Sequence, residues 1–410
     1  MKGRRVVVTG MGGITALGED WPTIRSHLKA RKTAVRPMPE WDRFQNLNTR
    51  LAAPIEGFDV SHRYDRKKLR TMGPVSRMAA YATELALADA GLTDDKSLKG
   101  GRTGIAYGSS FGSPDAVLGF AEMMRTGAST QLTATSYLQM MSHTAAINIG
   151  LLFGITGRVI PTSSACTSGS HAIGYGAETI SFGMQDVMIV GGADELSVSE
   201  AAVFDTLFAT STRNDAPGTT PRPFDRDRDG LVIGEGAATL ILEEYERARA
   251  RGARIHAEVL GYGTNSDGNH VTQPSSETMA IALGLALSDA NLPPESIGFV
   301  NGHGTATEWG DIAESRATSA IFGSRIPIHA LKSYFGHSLG ACGSIEAWLG
   351  IEMMNDGWFA LTANLENVDD RCAELDYIMG EGRQVNIEHL MSNNFAFGGI
   401  NTSLIFRRFP

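Results

Sequence analysis

Short runs of β-branched and apolar residues recur at 5–9, 103–108, 186–191, 237–242 and 297–301, and most of them run into glycine. Between them the apolar positions change to a spacing of three and four, which predicts helices over 76–90, 275–289 and 311–321. Strands that alternate with helices place the chain in the α/β class, with helical layers covering sheet. The segment 243–254 is charged, helical in composition and ends at Gly252, and Glu243 and Arg247 stand four apart as a supporting pair. It is the expected seam between two units, 1–252 and 253–410. There is no short-period repeat, only a loose echo between IVGGADE and VNGHGTAT, where strands run into glycine-rich turns.

Glycine supplies 47 of the 410 residues and gathers at the ends of the strand-like runs. There it permits tight turns and close approach of backbone to a ligand, so a cleft is expected at the strand ends. A hydrophobic fraction of 42% supports a large core without staples. Three cysteines, Cys166, Cys342 and Cys372, show no disulfide or zinc spacing, which suits a reducing cytoplasm. The start MKGRR-VVVTGMGGITALG is not read as a signal peptide, because Gly10, Gly12 and Gly13 interrupt the apolar run. No stretch of about 18 apolar residues is present to span a bilayer. A formal charge of -9 argues against a nucleic-acid partner. The densest basic run, Arg66, Lys67, Lys68 and Arg70, reads by itself as a solvated helix face.

Four stretches carry candidate chemistry. VVVTGMGGITALG sets Gly10 and Gly12 after a strand like a dinucleotide fingerprint, but Thr15 stands where a third small residue is needed, so a strand turning tightly into a helix is expected. In RVIPTSSACTSGSHAIGYG a strand gives way to small residues, then Cys166, then a helical pattern. A thiol at a helix N-terminus meets free amides and the helix dipole, which favour the nucleophilic thiolate. Burial as a structural thiol is the expected fate of Cys342 and Cys372. Two of ten histidines, His303 and His337, sit in glycine-framed turns, with Lys332 five positions before His337 and Glu346 nine after it. Such charged neighbours can fix which imidazole nitrogen donates. His27, His62 and His389 read as surface residues.

TSSACTSGSHAIG, RPFDRDRDGLVIGEGA, NGHGTATEWGD, LKSYFGHSLGACGSIEA and SNNFAFGGIN closely resemble, in order and spacing, the elongating β-ketoacyl-[acyl-carrier-protein] synthases of types I and II, over essentially the whole chain. The resemblance implies a thiolase fold, with duplicated βαβαβαββ halves in a five-layered α-β-α-β-α core, usually a homodimer. It implies a Cys-His-His centre of Cys166, His303 and His337. Cys166 would take the acyl group, the amides of Cys166 and Phe397 would form the oxyanion hole, and two neutral imidazoles donating from Nε2 would hold the enolate left when malonyl-ACP loses carbon dioxide. Lys332 and Glu346 match positions that orient the histidines. Thr305 and Thr307 match contacts to the phosphopantetheine arm, Thr272 is expected along the same channel, and Phe204, Phe111 and Ile400 match substrate-facing positions. Phe397 matches the gate. Arg66, Lys67 and Arg70 match positions that meet an acidic acyl carrier protein, which turns the basic run from solvated face to docking site. No metal or redox cofactor is required, since the substrates travel on the 4'-phosphopantetheine of the carrier.

Four departures from the family pattern stand out. The gate usually reads Phe-Gly-Phe-Gly-Gly-Thr-Asn; here Ala396 restricts φ and Ile400 removes a hydroxyl. Phe111 replaces a smaller pocket residue, Phe208 stands where some relatives carry a carrier-binding arginine, and TSYLQMMSHTAAINIG differs from the commoner version. A specialised lipid or polyene pathway is the expectation these raise; elongation of saturated acyl-ACPs of every length at housekeeping rates would remove it. NFAFGGIN lacks the second cysteine of a degradative thiolase, and His337 departs from the Cys-His-Asn set of starter-unit enzymes. The presence of Cys166 separates the chain from a non-catalytic chain-length factor, although a heterodimer with one stays open. A nicotinamide oxidoreductase would reveal itself by an optical change with NADPH.

Overall fold

The computed structural model describes residues 3–130 and 132–409; Met1 and Lys2 of the basic start lie outside them. Five strands build the first half of the main sheet: β1 (Val6–Thr15), β2 (Thr103–Gly108), β3 (Val159–Thr162), β4 (Val187–Asp194) and β5 (Gly236–Glu244). The second half holds β6 (Ala257–Ser266), β7 (Ile297–Asn301), β8 (Pro327–His329), β9 (Asp376–Tyr377), β10 (His389–Ala396) and β11 (Ile400–Arg408). Their order across the sheet is β9-β8-β7-β10-β11-β6-β1-β5-β4-β2-β3. From the middle outward, the first half runs first strand, fifth, fourth, second, third, and the second half runs first, sixth, fifth, second, third, fourth; each has two antiparallel pairings followed by parallel ones, two in the first half and three in the second. The halves meet where Val6–Val8 pair antiparallel with Ala257–Val259.

Helices α1 (Pro74–Asp89), α2 (Thr144–Phe153) and α3 (Ser168–Ser181) serve the first half, and α4 (Ser276–Ala290), α5 (Glu308–Phe322) and α6 (Cys342–Asp356) the second. Side chains alternate between sheet faces with period two. Met188 and Val190 of β4 enter a central core with α3 and α6, while Val187 and Ile189 enter an outer core with α1 and α2. In the second half Leu390 faces the central core and Met391 the outer one under α4 and α5. The layers are therefore helix, sheet, helix, sheet, helix. At the centre α3 and α6 cross on small residues: a Cβ on Gly169 would lie 2.9 Å from Ser344 N and 3.0 Å from the Gly340 carbonyl.

Two local expectations fail for physical reasons. β1 does not turn at its glycines but runs through them to Thr15, with a bulge between Val8 and Gly10. Those glycines clear room for a helix: a Cβ on Gly12 would lie 2.6 Å from Leu85 Cβ and 2.7 Å from Ala86 N. Likewise 243–254 is not one helix, because β5 continues to Glu244 and the helix covers only Tyr245–Ala250. The Glu243–Arg247 pair exists, but Glu243 is a buried strand residue that also holds Arg251.

Candidate active site

Residues 163–167 join β3 to α3 and carry the thiol. Ala165 takes a left-handed φ of 50°, a sharp turn just before Cys166. Hydroxyls fasten it: Ser168 Oγ accepts from Ser164 N–H at 2.9 Å and donates to the Ala165 carbonyl at 2.7 Å, and Thr167 Oγ1 donates to the Ser164 carbonyl at 2.8 Å. Cys166 is left only 3% exposed.

The histidines come from the other half. Glu314 on α5 pins the loop after β7 by accepting from the N–H groups of His303 and Gly304 at 2.6 and 2.7 Å. The His337 turn is tied across to the first half, its N–H donating to the Val232 carbonyl at 2.7 Å and its carbonyl accepting from Gly234 N–H at 2.9 Å. His337 Nε2 then lies 3.0 Å from Cys166 Sγ, while its Nδ1 accepts from Leu339 N–H at 3.2 Å. A ring nitrogen that accepts carries no proton, so neutral His337 holds its proton on Nε2. His303 is set the same way, its Nδ1 facing two donors, Lys332 Nζ at 3.0 Å and Asn394 Nδ2 at 3.3 Å. Burial, and after it the Lys332 charge, hold both imidazoles well below the usual histidine range, hence neutral.

Lys332 is itself buried, donating to Glu346 Oε1 at 2.5 Å and to the His303 carbonyl at 2.8 Å. Burial disfavours its ammonium, yet the anionic groups around it, Glu346 among them, raise its pKa overall. Burial pushes the Cys166 thiol up to about 11, against the Phe397 N–H, the Lys332 charge and its own N–H, all of which favour the thiolate. The expected net lowering by a helix end is not realised. α3 begins two residues later, and removing water from an anion outweighs the dipole.

A cavity of about 740 Å³ opens onto this centre. Thr305 and Thr307, their hydroxyls 2.8 Å apart, line it together with Thr272 and Phe204. Phe397 sits at the tip of the β10–β11 hairpin, edge-on to Phe204 with ring centroids 6.1 Å apart. Ala396 ends β10 in extended conformation, so its Cβ does not strain the gate; Gly398 and Gly399 make the turn at φ 92° and 74°.

The β-ketoacyl synthase N-terminal domain family matches residues 3–248, and the β-ketoacyl synthase C-terminal domain family matches residues 256–366. The chain belongs to the β-ketoacyl synthase family. It is 37% identical to 3-oxoacyl-[acyl-carrier-protein] synthase 2 of Vibrio cholerae over 100% of both chains. Among solved structures, a β-ketoacyl synthase from Burkholderia phymatum is 60% identical with a TM-score of 0.98, covering 99% of this chain and 100% of its own. The ishigamide ketosynthase/chain length factor is 30% identical with a TM-score of 0.92, covering 100% of both chains. The duplicated halves and five layers of this synthase are those of the thiolase fold.

Some of the expected residues lie outside the lining of this cavity. Phe111 lies exposed outside that lining, and so do Arg66 and Lys67 on the one-turn helix Arg66–Leu69 and Arg70 just after it, all three exposed on the surface. Ile400 packs beside Cys166, Cys342 and Ala396. His389, expected at the surface, is buried with Nδ1 3.1 Å from the Ser296 carbonyl. Two supporting residues, Asn394 and Glu314, were not expected from the sequence, and Cys342, expected as a buried structural thiol, is buried and supports the site as well. Asn394 donates to Glu346 Oε2 at 2.6 Å and accepts from Ser170 Oγ, Glu314 anchors His303, and Cys342 Sγ donates to the Cys166 carbonyl at 3.2 Å. Asn394 lay inside SNNFAFGGIN, whereas Glu314 left no local signal. No helix among the described residues is long and apolar enough to cross a membrane.

Proposed function

We propose that this synthase carries out the decarboxylative Claisen condensation of malonyl-ACP with an acyl group held on Cys166, giving a β-ketoacyl-ACP two carbons longer in fatty-acid or specialised lipid and polyene synthesis. One observation carries the reading: two imidazoles protonated on Nε2 and the N–H groups of Cys166 and Phe397 gather around a single buried thiol. Cys166 sulfur attacks the acyl-ACP thioester, the carrier thiol leaves with the proton, and the tetrahedral oxyanion rests on the two amides. Malonyl-ACP then loses carbon dioxide, and His303 and His337 donate to the enolate oxygen. Its carbon attacks the acyl thioester, the same amides hold the second oxyanion, and Cys166 departs as thiolate to be reprotonated.

Lys332 and Glu346 position His303 through the Nδ1 contact. Thr305, Thr307 and Thr272 receive the 4'-phosphopantetheine arm, and Phe204, Phe111 and Ile400 border the acyl chain. Arg66, Lys67 and Arg70 attract the acyl carrier protein. Residues 1–252 form the half carrying the nucleophile and 253–410 the half carrying the histidines and gate, in a homodimer working in the cytoplasm. Likeness to the ishigamide ketosynthase/chain length factor supports a second reading, a heterodimer with a chain-length factor.

Intact-mass measurement of wild type and Cys166→Ala with acyl-ACPs of graded length, then malonyl-ACP, tests the function. An adduct on wild type alone, discharged into β-ketoacyl-ACP, is expected; no adduct with any carrier would overturn it. Light scattering with activity of the purified chain separates the assemblies, since a homodimer is active without a partner.

A further inference from the structure

The opening of the active-site cavity is ringed by large apolar side chains turned toward solvent. Phe208 is 87% exposed and Trp309 60% exposed, with Leu207 and Val271 exposed beside them, and all four line the cavity. Phe208 is held there by its backbone. It follows helix Val198–Asp205 in a left-handed conformation with φ 54°, unfavourable for a bulky residue, and is fixed by N–H bonds from Phe208 to the Asp205 carbonyl and from Ala209 to the Phe204 carbonyl, both 3.0 Å. An apolar cluster in this position marks an interaction surface.

The charges at the same opening are already satisfied. Arg371 is paired with Asp369 at 2.8 Å and Glu308 at 2.6 Å, and Arg228 is buried against Asp369 at 2.6 Å. Neither arginine is free to receive a carboxylate from a partner. A thioester tethered to a protein can reach Cys166 only if that protein covers the opening, so the occupant of the collar is the donor of the substrate.

We infer that the acyl carrier protein seats on the apolar collar of Phe208, Leu207, Trp309 and Val271, through apolar residues beside its pantetheine-bearing serine, so that docking at the opening is driven by burial and not by ion pairs. The inference rests on the proposed carrier-borne substrate. Burial of aromatic anchors is insensitive to screening, whereas attraction to Arg66, Lys67 and Arg70 falls with salt.

The test compares KM for acylation of Cys166 by acyl-ACP and by acyl-pantetheine, at low and high salt, in wild type, Phe208→Asn and Trp309→Ser. Asparagine accepts a positive φ, so the first variant keeps the turn, and a thermal melt checks both. Each variant is expected to raise KM for acyl-ACP about tenfold, to leave KM for acyl-pantetheine unchanged, and to make the remaining carrier affinity more salt-sensitive than in wild type. An unchanged carrier KM, or an equal rise for both donors, overturns the collar as a docking surface. Failure of wild type to be acylated by either donor removes the proposed function itself, and the inference with it.

Discussion

The two halves repeat one another down to single contacts, yet they do different chemistry. In the first, Met11 N–H donates to Asp89 on α1 at 2.9 Å; in the second, Tyr262 N–H donates to Asp289 on α4 at 3.0 Å. Gly10 and Gly12 on β1 face Ala86 as Gly261 and Gly263 on β6 face Ala286. The strand-to-helix connections have diverged. β3 reaches α3 through 163–167, a turn that exposes one thiol to the site, whereas β8 reaches α6 through 330–341, long enough to carry both Lys332 and His337. β4 and β5 are separated by 195–235, which brings Phe204 and Phe208 to the opening, while β10 and β11 are joined by 397–399 and supply the gate. A shared scaffold fixes the positions of the loops, and loop length decides which half supplies nucleophile and which supplies proton donors.

The sharpest way to break this division is to remove its two kinds of group. Cys166→Ala is expected to abolish the acyl adduct and lower condensation by about three orders of magnitude or more, whereas Cys342→Ala, from the second half, keeps the adduct. Next in size, His303→Ala and His337→Ala each lower carbon dioxide release from malonyl-ACP by about 10²–10³-fold. His303→Ala should still be acylated, since only His337 touches the sulfur; loss of the adduct there would erase the assignment of separate roles. The raised thiol makes thiolate the minor form below about 11, so alkylation of Cys166 by iodoacetamide should climb about tenfold per pH unit without levelling near 9. A plateau near 9 would mean that dehydration does not dominate. The smallest effect concerns the scaffold. Gly10→Ala and Gly261→Ala should each lower unfolding free energy in denaturant by about 2–3 kcal/mol, because either methyl would meet helix backbone. A large cost at one position and none at the other would limit the equivalence of the halves to strand order.

Periodicity located Thr103–Gly108 and Ile297–Asn301 and came within three residues of the bounds of α1, α4 and α5. It passed over β10 and β11, whose buried faces carry Asn393, Asn394, Thr402 and Ser403, so no alternation of apolar and polar residues marks them. Glycine misled in β1 because a turn and a close helix contact ask for the same missing Cβ. Cys166, His303 and His337 stood out through small residues and glycine around them and through motif resemblance. The sign of the thiol shift did not, because it depends on how many layers bury the sulfur. Asn394 and Glu314 act through hydrogen bonds across elements distant in sequence, which spacing cannot reveal.

The acceptor role of both Nδ1 atoms also decides what this centre refuses. Cys166, His303 and His337 offer ligand atoms all within 4.8 Å of one another, a spacing that suits a thiophilic cation. A metal bound at the two Nε2 atoms would displace both protons to Nδ1, against the Lys332 ammonium and the Leu339 N–H that now point there. The bonds that aim the rings at a nascent anion thus guard the nucleophile against poisoning by stray zinc or copper.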